Sequence, residues 1–171
     1  MMVEEILTNR EMDKNNLLIH KHLIIRAEVK NPPKDEQKLA EWMTQFISFI
    51  NMKVLMGPYV KYCPTPGNRG ITGVAVIETS HIAIHVWDET DPAIMQFDVY
   101  SCSEFDPYKI ADKLQADFEV VKLDYKFLNR ETELKPIRLK KDTMKNVETH
   151  KYANSDNKQT QQPTLFNISS L

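Results

Sequence analysis

Several common features are scarce or missing in this sequence. Only two cysteines occur among its 171 residues, Cys63 and Cys102. They stand far apart and form no CxxC, which argues against a disulfide framework or a zinc knuckle. A reduced, cytoplasmic protein is therefore the expectation. No apolar run approaches the roughly 18 residues of a membrane span, so no membrane partner is expected. The segment from Met1 to Asn15 is mixed and charged, without the apolar stretch of a secretory signal. Formal net charge is −2, and no long basic stretch is present, so nucleic acid is not expected as a partner.

What is present suits a single core-forming domain. Hydrophobic residues make up 42% and charged residues 27%, an ordinary globular balance. Residues 1–15 read as a flexible lead-in, 16–136 as the folded domain, and 137–171 as a polar tail expected to be disordered. Residues 16–29 are rich in β-branched and apolar types and predict a strand, which Asn31-Pro32-Pro33 ends. Leu39, Trp42, Met43, Phe46, Ile47 and Ile50 then follow helical spacing with one wide apolar stripe, and Asp35 is the expected N-cap. That stripe reads as core. A further extended segment is predicted over 53–62, followed by a loop at 64–70. Ile71 to Glu78 is nearly continuous apolar sequence, which predicts a strand buried on both faces. From His81 to Trp87 the pattern alternates, with Ile82, Ile84 and Val86 opposite His81, His85 and Trp87. A turn at 88–92 leads to a strand over 93–101. Asp106-Pro107 opens a second helix, and a last strand alternates from Val121 to Phe127. This order predicts an α+β fold of two similar halves. They share one antiparallel sheet with helices packed on one face, a two-layer sandwich.

Chemistry-bearing residues concentrate between Gly70 and Cys102. Two histidines, a serine, a threonine, acidic residues and a cysteine lie near strand ends of an otherwise apolar sheet. His81 and His85 could simply be half-buried and hydrogen-bonded. They share a face, but the further ligands of a zinc site are missing, so no metal is expected. Ser80 lacks the glycine-flanked elbow of an α/β-hydrolase nucleophile. Asp98 stands among large apolar residues and needs a partner such as a backbone donor or an arginine.

The run Ser80-His81-Ile82-Ala83-Ile84-His85-Val86-Trp87-Asp88-Glu89 resembles the processing site of prokaryotic S-adenosylmethionine decarboxylases. That family has Ser-His-x-x-x-His-x-x-x-Glu between a Gly-Ser-Gly-Val strand and an Asp-Val-x-x-Cys strand. Here Thr72-Gly73-Val74 and Asp98-Val99-Tyr100-Ser101-Cys102 stand in register. The resemblance implies a self-processing proenzyme. The serine hydroxyl attacks the preceding carbonyl, and the ester formed breaks by β-elimination. Water then displaces the serine nitrogen as ammonia, and a pyruvoyl group derived from Ser80 remains, the cleavage site being Thr79–Ser80. This carbonyl acts as the electron sink for decarboxylation through a Schiff base with the substrate amine. By the same resemblance Thr72 assists the acyl shift and His85 removes the serine α-proton. Cys102 returns a proton after decarboxylation, a task that suits a thiol, mostly protonated at neutral pH yet able to give its proton up. Glu89 binds the ribose diol, and Thr79 stands at a substrate-contacting position. The implied substrate is S-adenosylmethionine, the product feeds spermidine synthesis, and the implied assembly is a homodimer.

The chain departs from the family pattern in four places. Thr79 replaces the usual glutamate before the serine, with Glu78 one place earlier. The spacing from His85 to Cys102 is two residues longer. Ser103 replaces the glycine after the cysteine. His22 is followed four residues on by Arg26 rather than by an aspartate. Two other functions stay open at this point. One is a pyruvoyl decarboxylase of a basic amino acid such as ornithine or arginine. The other is a homologue that is never processed and binds a nucleoside ligand or a partner chain.

Overall fold

The computed structural model describes residues 19–131 and 133–139. The expected lead-in and all but the first residues of the expected tail lie outside the described residues. Within that range the chain forms β1 (Lys21–Val29), α1 (Glu36–Phe49), β2 (Val54–Cys63), β3 (Gly70–Ile77), β4 (Ser80–Trp87), β5 (Ala93–Ser101), α2 (Pro107–Phe118), β6 (Val120–Asn129) and the short β7 (Lys135–Pro136). The strands make one antiparallel sheet in the order β2-β3-β4-β5-β1-β6-β7. The chain is α+β, with both helices on one face. The first strand lies in the middle of the sheet, between β5 and β6.

Local chemistry starts the helices where the sequence predicts. The Asp35 carboxylate accepts the Lys38 amide at 2.8 Å, satisfying a donor that the first turn leaves open. Asp106 caps Tyr108 and Lys109 in the same way, and Pro107 takes the first helical position, where a missing N–H costs nothing. From α1, Leu39, Met43, Phe46 and Ile47 are buried. They meet Leu23, Ile25, Ile82, Ile84, Met95 and Phe97 from the sheet. Burying one such side chain stabilises the fold by about 1.5–3 kcal/mol. Trp42 stacks on Phe46 and meets Phe118, its rings 4.8 Å from the latter, and so ties the two helices together. Gly73 lets α1 approach β3, because a Cβ there would lie 2.6 Å from the Met43 sulfur.

One expectation is overturned. The strand over Gly70–Ile77 is buried on one face only: Thr72, Val74 and Val76 alternate outward, with Val74 42% and Val76 37% exposed. Among the described residues helices cover one side of the sheet only, so half of an apolar strand faces outward. This open face carries the polar members of every central strand: His22 and Arg26 from β1, Thr72 from β3, His81 and His85 from β4, and Asp98 and Tyr100 from β5.

Candidate active site

The site is built around the hairpin that joins β3 to β4. Ile77 pairs with Ser80, which leaves Glu78 and Thr79 as the turn. Ser80 leaves this turn with φ of +143°. A non-glycine residue held there carries backbone strain of about 1–3 kcal/mol. The neighbouring turn, after β5, is fastened to this one. The backbone N–H of Cys102 donates to the Thr79 carbonyl oxygen at 2.8 Å. Ser101, fully buried, accepts the Ser103 amide at 2.9 Å and fixes that turn in place. The carbonyl before Ser80 is thus held by an aimed donor, and the residue after it is conformationally strained. Ser80 Oγ lies 3.3 Å from Nδ1 of the adjacent His81.

Thr72 and His85 form a second group. They are direct cross-strand partners, and Thr72 Oγ1 lies 3.1 Å from His85 Nδ1. The His85 ring stacks against Trp87 at 5.9 Å. Five steps of extended strand separate Ser80 from His85, about 16 Å at the usual rise. Glu89 lies beyond the far end of β4. Its carboxylate accepts the backbone amides of Gly67 at 2.8 Å and Arg69 at 3.3 Å, so it pins the loop before β3. The Thr79 hydroxyl rests 3.7 Å from the Met52 sulfur, on the side away from the open face. Of the residues singled out from sequence, Ser80, Thr79 and Cys102 meet at one end of β4 and Thr72 with His85 in its middle. Glu89 stands at the other end.

A third group was not legible as a site. Asp98 finds its partner in a histidine, neither a backbone donor nor an arginine: His22 Nε2 donates to Oδ2 at 2.8 Å. Its other oxygen, Oδ1, is sealed from solvent without a hydrogen bond, with His81 Nε2 3.6 Å away. Arg130 Nη1 lies 3.1 Å from His22 Nδ1, and its guanidinium lies over the Tyr100 ring at 4.2 Å. Tyr100 also hydrogen-bonds His20 at 2.8 Å. The pairing of His22 with Asp98 depends on β1 entering the sheet beside β5, which no local pattern announces.

A hollow of about 390 Å³ opens on the sheet face between these groups, bordered by Arg26, His81, Ala83, His85, Gln96 and Asp98. A larger one, about 860 Å³, lies near Pro32, Trp42, Asp88 and Asp117. It includes none of the sequence-predicted site residues. Among the described residues no three His, Cys, Asp or Glu side chains gather as a metal-binding group, and no helix is long and apolar enough to cross a membrane. Cys63 and Cys102 are both free thiols.

Fold and site together define a class: a one-sheet α+β chain with a strained serine after a tethered carbonyl, and a cysteine following the next strand. The family model described as S-adenosylmethionine decarboxylase matches residues 21–131, and the chain belongs to that family. Curated relatives agree. The S-adenosylmethionine decarboxylase proenzyme of Pyrococcus furiosus is 31% identical over 101 residues, covering 57% of this chain and 68% of its own length. The proenzyme of Thermococcus onnurineus is 38% identical over 104 residues, 57% of this chain and 70% of that one. That of Clostridium botulinum is 28% identical over 98 residues, 57% and 79%.

Proposed function

We propose that this chain is a self-processing, pyruvoyl-dependent decarboxylase of S-adenosylmethionine that cleaves itself between Thr79 and Ser80. The observation that carries the reading is the Cys102 N–H on the Thr79 carbonyl beside a serine of positive φ. Attack by a hydroxyl turns that carbonyl oxygen into an oxyanion, and a fixed donor 2.8 Å away stabilises it without reorganisation. Relief of strain at Ser80 favours the same step. The residues fit the group that would result: Ser80 supplies its carbon skeleton, and Cys102 follows the strand residue paired with Ser80.

When formed, a pyruvoyl carbonyl withdraws electrons from the substrate α-carbon, as decarboxylation requires. Cys102 returns a proton to that carbon, and Glu89 takes the ribose hydroxyls. The product is the aminopropyl donor for spermidine synthesis. Thr72 assists the acyl shift and holds the ring of His85, which removes the Ser80 α-proton.

This last role needs a second copy. Within one chain Ser80 and His85 are about 16 Å apart on one strand. We place the open face of one copy against that of another about a twofold axis. The Ser80 end of one copy then meets the Thr72–His85 pair of its mate. Exposed Ile24, Val74 and Val76 give such a contact apolar area. The working form is a homodimer in the cytoplasm.

Intact mass under denaturing conditions tests the reading. The expected result is two fragments, 1–79 and 80–171, the second blocked at its amino end. A single mass of 19.9 kDa after long incubation overturns it in favour of an unprocessed homologue that binds a nucleoside or a partner. Because the Glu89 carboxylate is already engaged by two amides, the processed protein should be offered S-adenosylmethionine, ornithine and arginine. Turnover of a basic amino acid alone would move the assignment to that substrate class.

A further inference from the structure

Family resemblance supplies a base for the late step, His85, but none for the first, the removal of the proton from the Ser80 hydroxyl. In this structure the group touching Ser80 Oγ is the ring of His81, with Nδ1 at 3.3 Å. The rest of that ring is also placed. Its Nε2 faces Asp98 Oδ1 at 3.6 Å, and Oδ1 is a buried oxygen with no hydrogen-bond partner. Such an oxygen is costly to leave unmade, and an N–H is what it lacks. The arrangement therefore favours the tautomer with the proton on Nε2, leaving Nδ1 free to accept from the serine. The second Asp98 oxygen is held by His22 Nε2 at 2.8 Å. His22 is held in turn by Arg130, so the carboxylate cannot swing away.

We propose that His81 is the base that takes the Ser80 hydroxyl proton in the acyl shift, with Asp98 as its positioning residue. The inference rests on the self-processing reading above. As the bond from Ser80 Oγ to the Thr79 carbonyl carbon forms, the hydroxyl proton passes to His81 Nδ1. Cys102 N–H holds the oxyanion, and Asp98 faces the imidazolium across the gap that its charge then closes. When the Thr79–Ser80 C–N bond breaks, the same proton passes from His81 to the Ser80 nitrogen. An amide has become an ester plus an amine, His81 is neutral again, and no co-reactant is consumed. The groups around His81 are Asp98 and Tyr100 from β5, His22 from β1, and Arg130 across Tyr100. Val76 is its partner on β3.

The full chain, made by cell-free synthesis and quenched in denaturant at intervals, gives the test by intact mass with and without hydroxylamine. Hydroxylamine cleaves an ester at Thr79–Ser80 and leaves the amide whole. Wild type should split. His85→Ala should accumulate the ester. His81→Ala, and His81→Gln should the alanine variant fail to fold, should remain as amide and split at least about 100-fold more slowly. Added imidazole should restore His81→Ala. Asp98→Asn should split more slowly, and Asp98→Glu, which keeps a carboxylate facing the ring, should recover part of the rate. A processed wild type with His81 variants just as fast would overturn this proposal and leave self-processing standing. Slow splitting that imidazole does not restore would assign His81 a structural role and also overturn it. A wild-type chain that stays whole would remove both readings together.

Discussion

The two ends of β4 differ in how completely their polar groups are satisfied. At the Ser80 end the backbone is strained, a buried carboxylate oxygen has no hydrogen bond, and a serine hydroxyl rests against an imidazole. At the other end Asp88, its side chain 3% exposed, takes Arg69 Nε at 2.8 Å and the Tyr62 hydroxyl at 3.0 Å, with Lys34 nearby. Glu89 beside it takes two amides. Both ends are rich in charge, but among the described residues only one leaves buried bonding capacity unused. A saturated network holds a loop, whereas an unsaturated one beside a strained peptide can do chemistry.

The sharpest contrast comes from removing one oxygen at each end. Ser80→Ala should abolish cleavage altogether, read as a single intact mass. Glu89→Gln should cleave to completion and then show KM for S-adenosylmethionine raised about tenfold, the cost of a weakened hydrogen bond of roughly 1.4 kcal/mol. Cleavage that fails equally in both variants would erase the distinction between the ends. The middle of the strand offers the next largest effect. Ser80→Ala and His85→Ala should each be inactive alone. Co-expressed, they should recover roughly a quarter of wild-type turnover, since half of random dimers are mixed and each holds one complete site. No recovery would place His85 in the same site as its own chain's Ser80. Within the Ser80 end itself, Cys102→Ala keeps the backbone N–H and should still cleave. Its decarboxylation should fall by about 10²- to 10⁴-fold, the usual contribution of a positioned proton donor. Fragment masses and turnover on the same sample separate the two roles.

How far the sequence reveals these two ends depends on whether the forces involved are local. The helix over Glu36–Phe49 and its Asp35 cap were readable, because helical spacing and capping are set within a few residues. The strand over Ala93–Ser101 was readable for the same reason. Val74 and Val76 misled, since a β-branched run looks alike whether or not a helix covers its second face. The hairpin that precedes Ser80 was half legible. Ser80, His85 and Cys102 stood out by their resemblance to a family pattern. Their separation into two groups along one strand followed only from the sheet register. The Cys102 amide on Thr79 joins two turns through backbone atoms alone, and side-chain patterns carry no record of that. The His22–Asp98 pair spans 76 positions and exists because β1 lies between β5 and β6.

Acid provides the gentlest way to separate the ends. Burial alone would raise the pKa of Asp88. Hydrogen bonds from Arg69 and Tyr62, and the charges of Arg69 and Lys34, outweigh it and hold the carboxyl below its ordinary value of 3.8. A group depressed in the folded state adds stability that is present above its unfolded pKa and is lost as pH falls through the folded one. The Asp88 end should therefore keep its contribution at neutral pH and lose it below about pH 4. Asp88→Asn should lower Tm by a few degrees at pH 7 and narrow the difference from wild type as the pH drops toward 3. Cleavage at Thr79–Ser80 should be unaffected by this substitution, because nothing in the Asp88 network touches that hairpin. Equal Tm values for variant and wild type at both pH values would mean that the far end is held by packing rather than by charge.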